Sequence, residues 1–377
     1  MGLNRLTLAL ARARAAGKQV LDLTASNSTE CGFTYDREGI LGALTDPASL
    51  TYEPDACGLP AARKAVCEYY AGRGDSVSPE SMVLTTSTSE AYSFVFRLLC
   101  DAGDEVLVPQ PSYPLFDFLA ELADVRLQRY PLIYDHGWQI DFHSLEEALT
   151  ARTRALIVVH PNNPTGSFCK AQEITRLNDI CAGRGTAIIA DEVFLDYSLG
   201  DSAPQSFVTN AGALTFTLSG LSKICGLPQM KAAWVVASGP KEMQRESLRR
   251  LEVIADTYLS MNAPVQHALA AFLRQREPFH KQVMRRVRQN LAELDRQLSR
   301  ESACGRMLVE GGWCAVLRVP ATRSDEDLAL ELVSTRGVLV HPGHFYDFSG
   351  SGTIVLSLIV PSEDFSRGLA EILAFAR

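Results

Sequence analysis

No segment of the chain approaches the roughly 20 consecutive apolar residues that a membrane-spanning helix needs, so no span is expected. Paired cysteines are missing too: nine thiols are scattered from Cys31 to Cys314 without one CxxC spacing. That argues against both a zinc site and a disulfide framework, so no metal is expected and the thiols read as reduced, buried side chains of a cytoplasmic protein. There is no excess of basic charge. A net charge of −8 provides no basic face to neutralise a phosphate backbone, which removes nucleic acid from the expected partners while leaving small anions as candidate ligands. The N-terminal stretch MGLNRLTLALARARAAGKQV interleaves arginines with apolar residues and lacks the unbroken apolar core of an export signal. It reads as an arm or helix lying on the folded body. Internal repeats and low-complexity linkers are absent as well.

What is present is an ordinary folding composition, 46% hydrophobic and 21% charged, on a chain of 377 residues, longer than one core usually spans. A large domain with a smaller companion is expected. Between about Val77 and Val236, apolar runs of strand length alternate with amphipathic stretches. MVLT (82–85), EVLVP (105–109), ALIVVH (155–160), AIIAD (187–191), LTFTLS (214–219) and AAWVVA (232–237) are the strands, and SEAYSFVFRLLC (89–100) and QEITRLNDICAG (172–183) have helical periodicity. The pattern predicts an α/β fold: a three-layer αβα large domain with a mainly parallel sheet over 46–280, and a smaller α+β domain built from 1–45 and 281–377. A cleft between two such domains is a common place for a ligand.

Four features converge on the carboxyl end of that sheet, where open α/β sheets place ligands. Ser87, Thr88 and Ser89 fall between a strand and a helix start, where hydroxyls, free backbone NH groups and the helix dipole suit a phosphate. An ordinary N-cap explains them equally well. PNNPTG (161–166) follows a strand directly and forms a rigid turn that can aim an Asn amide. Asp191 ends the run AIIA, either as a carboxylate at the mouth of a buried strand or as a simple helix cap. Lys223 lies in Ser219-Gly220-Leu221-Ser222-Lys223, just past a strand, where a desolvated amine would lose its proton and become free to form an imine. The joint occurrence carries the reading, since each feature alone has a bland explanation.

Taken together, PNNPTG, AIIADE and LSGLSK resemble the fold type I, class I/II aminotransferases dependent on pyridoxal 5'-phosphate (PLP), and TYEPDACGLPAARKAV near the start extends the likeness over nearly the whole chain. The resemblance implies that Lys223 holds PLP as a Schiff base and then shuttles a proton, and that Asp191 keeps the pyridine nitrogen protonated. It implies further that Asn163 bonds the cofactor's 3-oxygen, that Tyr113 stacks on its ring, and that Thr88, Ser89, Ser222 and Lys231 bind its phosphate. Tyr52 would reach the phosphate of a neighbouring subunit, which makes a homodimer the expected assembly. The expected reaction moves an amino group from a small-molecule donor to a keto-acid acceptor, ping-pong through pyridoxamine phosphate. A C–S β-lyase or a decarboxylase on the same fold is the nearest alternative, and a PLP-binding protein without turnover a more distant one.

Three positions depart from the family pattern. Phe194 stands where a tyrosine usually donates to the 3-oxygen, which predicts a higher imine pKa than a tyrosine-bearing relative shows. Lys231 replaces the usual phosphate arginine and supplies a point charge in place of a planar fork. The arginine that usually clamps the substrate carboxylate aligns with Val355 in Val355-Leu356-Ser357, and no arginine lies between Arg336 and Arg367. Arg37, His341, His344 and the backbone near Ser26 are candidate replacements, or the substrate is not a standard α-amino acid.

Overall fold

The computed structural model describes residues 4–201, 203–259, 261–298 and 303–376. Its centre is a sheet of eight strands: β1 (Met82–Thr85), β2 (Glu105–Gln110), β3 (Arg126–Tyr134), β4 (Trp138–Ile140), β5 (Thr153–Val159), β6 (Ala187–Asp191), β7 (Thr215–Gly220) and β8 (Ala233–Ser238). Their order across the sheet is β1-β8-β7-β6-β5-β2-β3-β4. Pairing is parallel from β7 through β6, β5 and β2 to β3, and antiparallel where β8 lies between β1 and β7 and where β4 folds back on β3.

Every residue of β6, β7 and β8 is buried, because helices cover both faces of the sheet. Side chains alternate between the faces. Ile189, Phe216 and Val235 pack on one side against Val95, Leu98 and Leu251 of the helices Thr88–Leu99 and Lys241–Tyr258. On the other side, Ile188 meets Leu177 of the helix Ala171–Arg184, while Trp234 and Val236 meet Tyr70, Leu269 and Phe272. All six strands read from the sequence form. Strands β3 and β4, toward the far edge, carry no such signal: β3 is RLQRYPLIY, interrupted by polar residues and Pro131 and only half-buried. Proline is tolerated in a strand near an edge, where one ladder bond is dispensable.

A second sheet, antiparallel, comes from the C-terminal part: β9 (Gly305–Arg306), β10 (Cys314–Arg318), β11 (His341–Pro342) and β12 (Thr353–Ser357), in the order β9-β10-β12-β11. The long helices Arg276–Gln297 and Ser362–Phe375 cover it through Val283, Val287, Leu294, Phe365, Leu369 and Ile372. A parallel pairing of Leu21–Asp22 with Val338–Leu339 ties the N-terminal segment to this smaller α+β unit. The helix Arg37–Ala43 instead buries Ile40 among Leu59, Val66 and Leu84, against the large sheet's helices. The N-terminal arginine-rich stretch is a helix over Arg5–Ala15, capped by Asn4.

Candidate active site

The carboxyl ends of β1, β5, β6 and β7, together with the reversed start of β8, form one rim. Above it, between the two sheets, opens a cavity of about 420 Å³. It is large enough for a cofactor-sized ligand.

Asp191, the last residue of β6, is buried; its Oδ2 accepts a hydrogen bond from Tyr92 Oη at 3.0 Å and its Oδ1 accepts from the Val193 amide at 3.2 Å. Burial pushes its carboxyl up to about 6, while those two bonds and the charge of Lys223 pull the other way. The carboxylate is thus held at a cost that a cationic partner in the cavity would offset.

Lys223 follows from how the chain turns after β7. Gly220 pairs with Ala233 across β7 and β8, and a Cβ at Gly220 would lie 2.8 Å from the Ala233 Cβ and 2.9 Å from the Ala232 carbonyl oxygen. Only glycine lets the strands close there, and the connection 221–232 is left on the rim as a short helical turn. Lys223 Nζ projects from that turn to 5.0 Å from the Trp313 ring centroid and 5.4 Å from that of Phe194. Among the described residues it has no hydrogen-bond or ion-pair partner. Burial pushes the amine's pKa down, and Cys314 and Asp191 pull it partly back. The lysine backbone is braced from behind: Tyr197 Oη donates to the Lys223 carbonyl oxygen at 2.5 Å. The neighbouring Asp196 is gripped by Arg73, by Arg276 Nε at 2.6 Å and by Tyr69 Oη at 3.2 Å.

The turn after β5 separates its two asparagines by their bonds. Asn162 spends its amide inside the turn: Nδ2 donates to the Pro111 carbonyl and to Thr165 Oγ1, and Oδ1 accepts from Ser112 Oγ. Asn163 is left to face the cavity, accepting one long bond of 3.7 Å from Cys314 Sγ. Gly166, at φ +71°, docks the turn against the smaller unit, where a Cβ would meet the Gly311 carbonyl oxygen at 2.5 Å.

Ser87 is the N-cap of the helix Thr88–Leu99, its Oγ accepting from the Glu90 amide at 3.2 Å. Thr88 and Ser89 open the first turn on the cavity wall, and Ser222 and Lys231 line the same cavity from the connection after β7. Lys231 sits in the left-handed region at φ +52°. Tyr113 and Phe194 line it too, the Phe194 ring edge-on to Trp313 at 5.3 Å. Ten of the eleven sequence-derived candidates are therefore in one place. Tyr52 is not: it is 74% exposed and lies beside Met261 and His267 in a separate surface depression.

Of the residues considered in place of the missing arginine, Ser26 and His341 line the cavity, while Arg37 and His344 are exposed and outside it. Val355 is buried on β12, directly opposite His341. The residues that sequence reasoning missed are Trp313, Cys314 and Tyr346 from the smaller unit, Thr24 from the N-terminal segment, and Tyr92 and Tyr197 behind the rim. Their only local signal is the GGWC run before β10, since the rest look like core aromatics until the units are brought together.

These features can be set beside known proteins. The chain is 30% identical over 264 residues to the glutamate-pyruvate aminotransferase AlaA of Escherichia coli K12, covering 70% of this chain and 65% of that protein. It thus spans just under two thirds of that relative's length. With the LL-diaminopimelate aminotransferase of Dehalococcoides mccartyi it shares 26% identity over 372 residues, 97% of this chain and 94% of the other. The solved alanine aminotransferase of Pyrococcus furiosus superposes with a TM-score of 0.89 at 23% identity, over 98% of this chain and 95% of that one, which shows the same fold. Residues 42–367 match the family model "aminotransferase class I and II", and to that family the chain belongs.

Proposed function

We propose that the chain is a PLP-dependent aminotransferase that moves an amino group from an amino acid or related amine to a keto-acid acceptor in two half-reactions. The single observation that carries this is the pairing in one cavity of a partly buried amine at Lys223, with no hydrogen-bond or ion-pair partner among the described residues, and a buried carboxylate at Asp191.

The donor set fits the cofactor. Thr88, Ser89, Ser222 and Lys231, with the free NH groups opening the helix Thr88–Leu99, suit the phosphate. Asp191, fixed by Tyr92 and Val193, suits the ring nitrogen as a cation. Asn163 suits the ring oxygen, and Tyr113 and Phe194 the ring itself. When bound, PLP supplies an electron sink for the pair left behind as a bond to the substrate's reacting carbon breaks. The protein does the rest. Lys223 Nζ, its pKa lowered by burial, takes up and returns the proton at that carbon. Trp313 and Phe194 keep water from the amine. Tyr197, anchored beside the Asp196 cluster, fixes the backbone from which the lysine swings.

The reading extends to a homodimer, supported by the exposure of Tyr52 outside its own subunit's cavity, and to a cytoplasmic location. No described helix is long and apolar enough to cross a membrane. It also assigns 46–280 to the cofactor-holding domain and 1–45 with 281–377 to the smaller one; the pairing of Leu21–Asp22 to Val338–Leu339 supports this for the start of the chain, whereas the helix Arg37–Ala43 packs on the larger unit.

The test is to mix PLP-loaded protein with a panel of amines and amino acids and to follow cofactor absorbance and products. The expected result is conversion of the cofactor to its aminated form with one equivalent of keto product. Release of ammonia with pyruvate would make the chain a lyase, and an unchanged spectrum across the panel would make it a binding protein.

A further inference from the structure

Three charged side chains line the cavity among the described residues: Asp191, Lys223 and Lys231. On the reading above, the cofactor engages Asp191 and Lys231, and Lys223, released when the substrate amine takes its place, is occupied with the proton at the reacting carbon. What remains for a substrate is the wall supplied by the smaller unit, Trp313, Cys314, His341, Tyr346, Val355 and Ser357, and it contains no arginine or lysine. Strand pairing fixes this wall: Val355 of β12 lies between Val316 of β10 and His341 of β11, and Ser357 lies opposite Cys314.

Each polar group on that wall is neutral or already engaged. His341 Nδ1 is 3.0 Å from Tyr346 Oη, and burial lowers the imidazole's pKa, so the pair is uncharged at neutral pH. Burial pushes the Cys314 thiol up to about 12, which keeps it protonated. Ser357 Oγ donates to the Ala25 carbonyl at 2.7 Å. A carboxylate brought against Val355 would surrender its hydration and, among the described residues of that wall, meet no counter-ion. A hydroxyl or amide there loses far less, and the second nitrogen of His341 is available to it.

We propose that the wall formed by Val355, His341 and Tyr346 selects amines whose reacting carbon carries an uncharged polar substituent in place of a carboxylate. This departs from the alanine and glutamate in the names of the relatives, and it rests on reading the cavity as a PLP site but not on amino transfer taking place.

A matched pair of probes isolates the substituent: 2-amino-2-methylpropan-1-ol and 2-methylalanine. Neither has a hydrogen on the reacting carbon, so transfer by proton abstraction is blocked, and the initial change in cofactor absorbance on titrating the PLP-loaded protein reports binding, with release of CO2 from 2-methylalanine followed in parallel to detect decarboxylation. The amino alcohol is expected to bind at least tenfold more tightly. Val355→Arg is expected to move the ratio at least tenfold toward 2-methylalanine, and His341→Phe to weaken the amino alcohol about tenfold while leaving 2-methylalanine unchanged. Equal or tighter binding of 2-methylalanine to the wild-type protein overturns the proposal, as does a spectrum that responds to neither probe. The wild-type comparison decides it even if a variant fails to fold. Failure of transfer in the earlier amine panel would sink the aminotransferase reading and leave this measurement standing.

Discussion

The two walls of the cavity are built on different terms. The rim of the large sheet presents a carboxylate, two amines, an amide and several hydroxyls, delivered by a strand end, the first turn of a helix and the turns that follow β5 and β7. The opposite wall, from the smaller unit, presents aromatic rings, a thiol, a neutral imidazole and a valine. A rim of that kind suits a ligand that does not vary, which on the proposed reading is a cofactor with one phosphate and one ring nitrogen. A wall with no fixed charge among its described residues leaves selection to shape and neutral hydrogen bonding, which is why the proposal predicts that one substitution at Val355 rewrites it.

The sharpest way to break the comparison is at the rim. Asp191→Asn is expected to lower turnover on the order of 10²-fold or more, as removal of a preorganised electrostatic partner does. It should also stabilise the ligand-free protein. The folded carboxyl has a pKa of about 6, above its unfolded value of about 3.9. Such a group costs nothing below the unfolded value, loses stability as pH rises through the window, and carries its full penalty above the folded value. Denaturant unfolding should therefore show the variant about 1–3 kcal/mol more stable at pH 7 and no different below pH ~4. A variant less stable at pH 7 would mean that the carboxylate is not strained without its partner.

Next in size is Gly220→Ala. The added methyl meets the Ala233 Cβ and the Ala232 carbonyl oxygen, so β7 and β8 must part at the point from which Lys223 is launched. The expected loss is about 1–3 kcal/mol, with a lysine that reacts more slowly with PLP. Gly183, where an added methyl would have nothing within 4 Å, is the control, and its alanine variant should be neutral or slightly stabilising. Equal effects at the two glycines would show that the rim does not depend on that close approach.

The smallest effect is expected where the walls meet, at Phe194. A tyrosine there would add a donor toward the cofactor's oxygen and favour the deprotonated form of the bound cofactor. The midpoint of the absorbance change with pH should fall in Phe194→Tyr relative to wild type. Identical midpoints would remove Phe194 from the cofactor's surroundings.

The difference between the walls also explains what could be read from the sequence. The rim was legible because its residues are short-range signals: Asp191 and Lys223 each sit at the end of an apolar strand, and PNNPTG announces its own turn. Six of the eight strands in the large sheet carry an apolar signature of strand length, while β3, interrupted by polar residues and Pro131, and β4, only three residues long, do not. Asp196, Tyr92 and Tyr197 were not legible, because their importance comes from partners more than 20 residues away. The second wall is the extreme case. His341 and Trp313 acquire a role only when β10, β11 and β12 are laid over the rim of another sheet, and only the absence at Val355 could be seen in advance.

The central claim is that the Lys223 amine, partly buried and without a hydrogen-bond or ion-pair partner among the described residues, is the attachment point for PLP. Borohydride reduction of the cofactor-loaded protein, followed by peptide mass spectrometry, tests it most directly. The account predicts one phosphopyridoxyl group per chain, on Lys223, with Lys223→Ala taking up none at any position. Label on another lysine, or equal labelling of the variant, would contradict it.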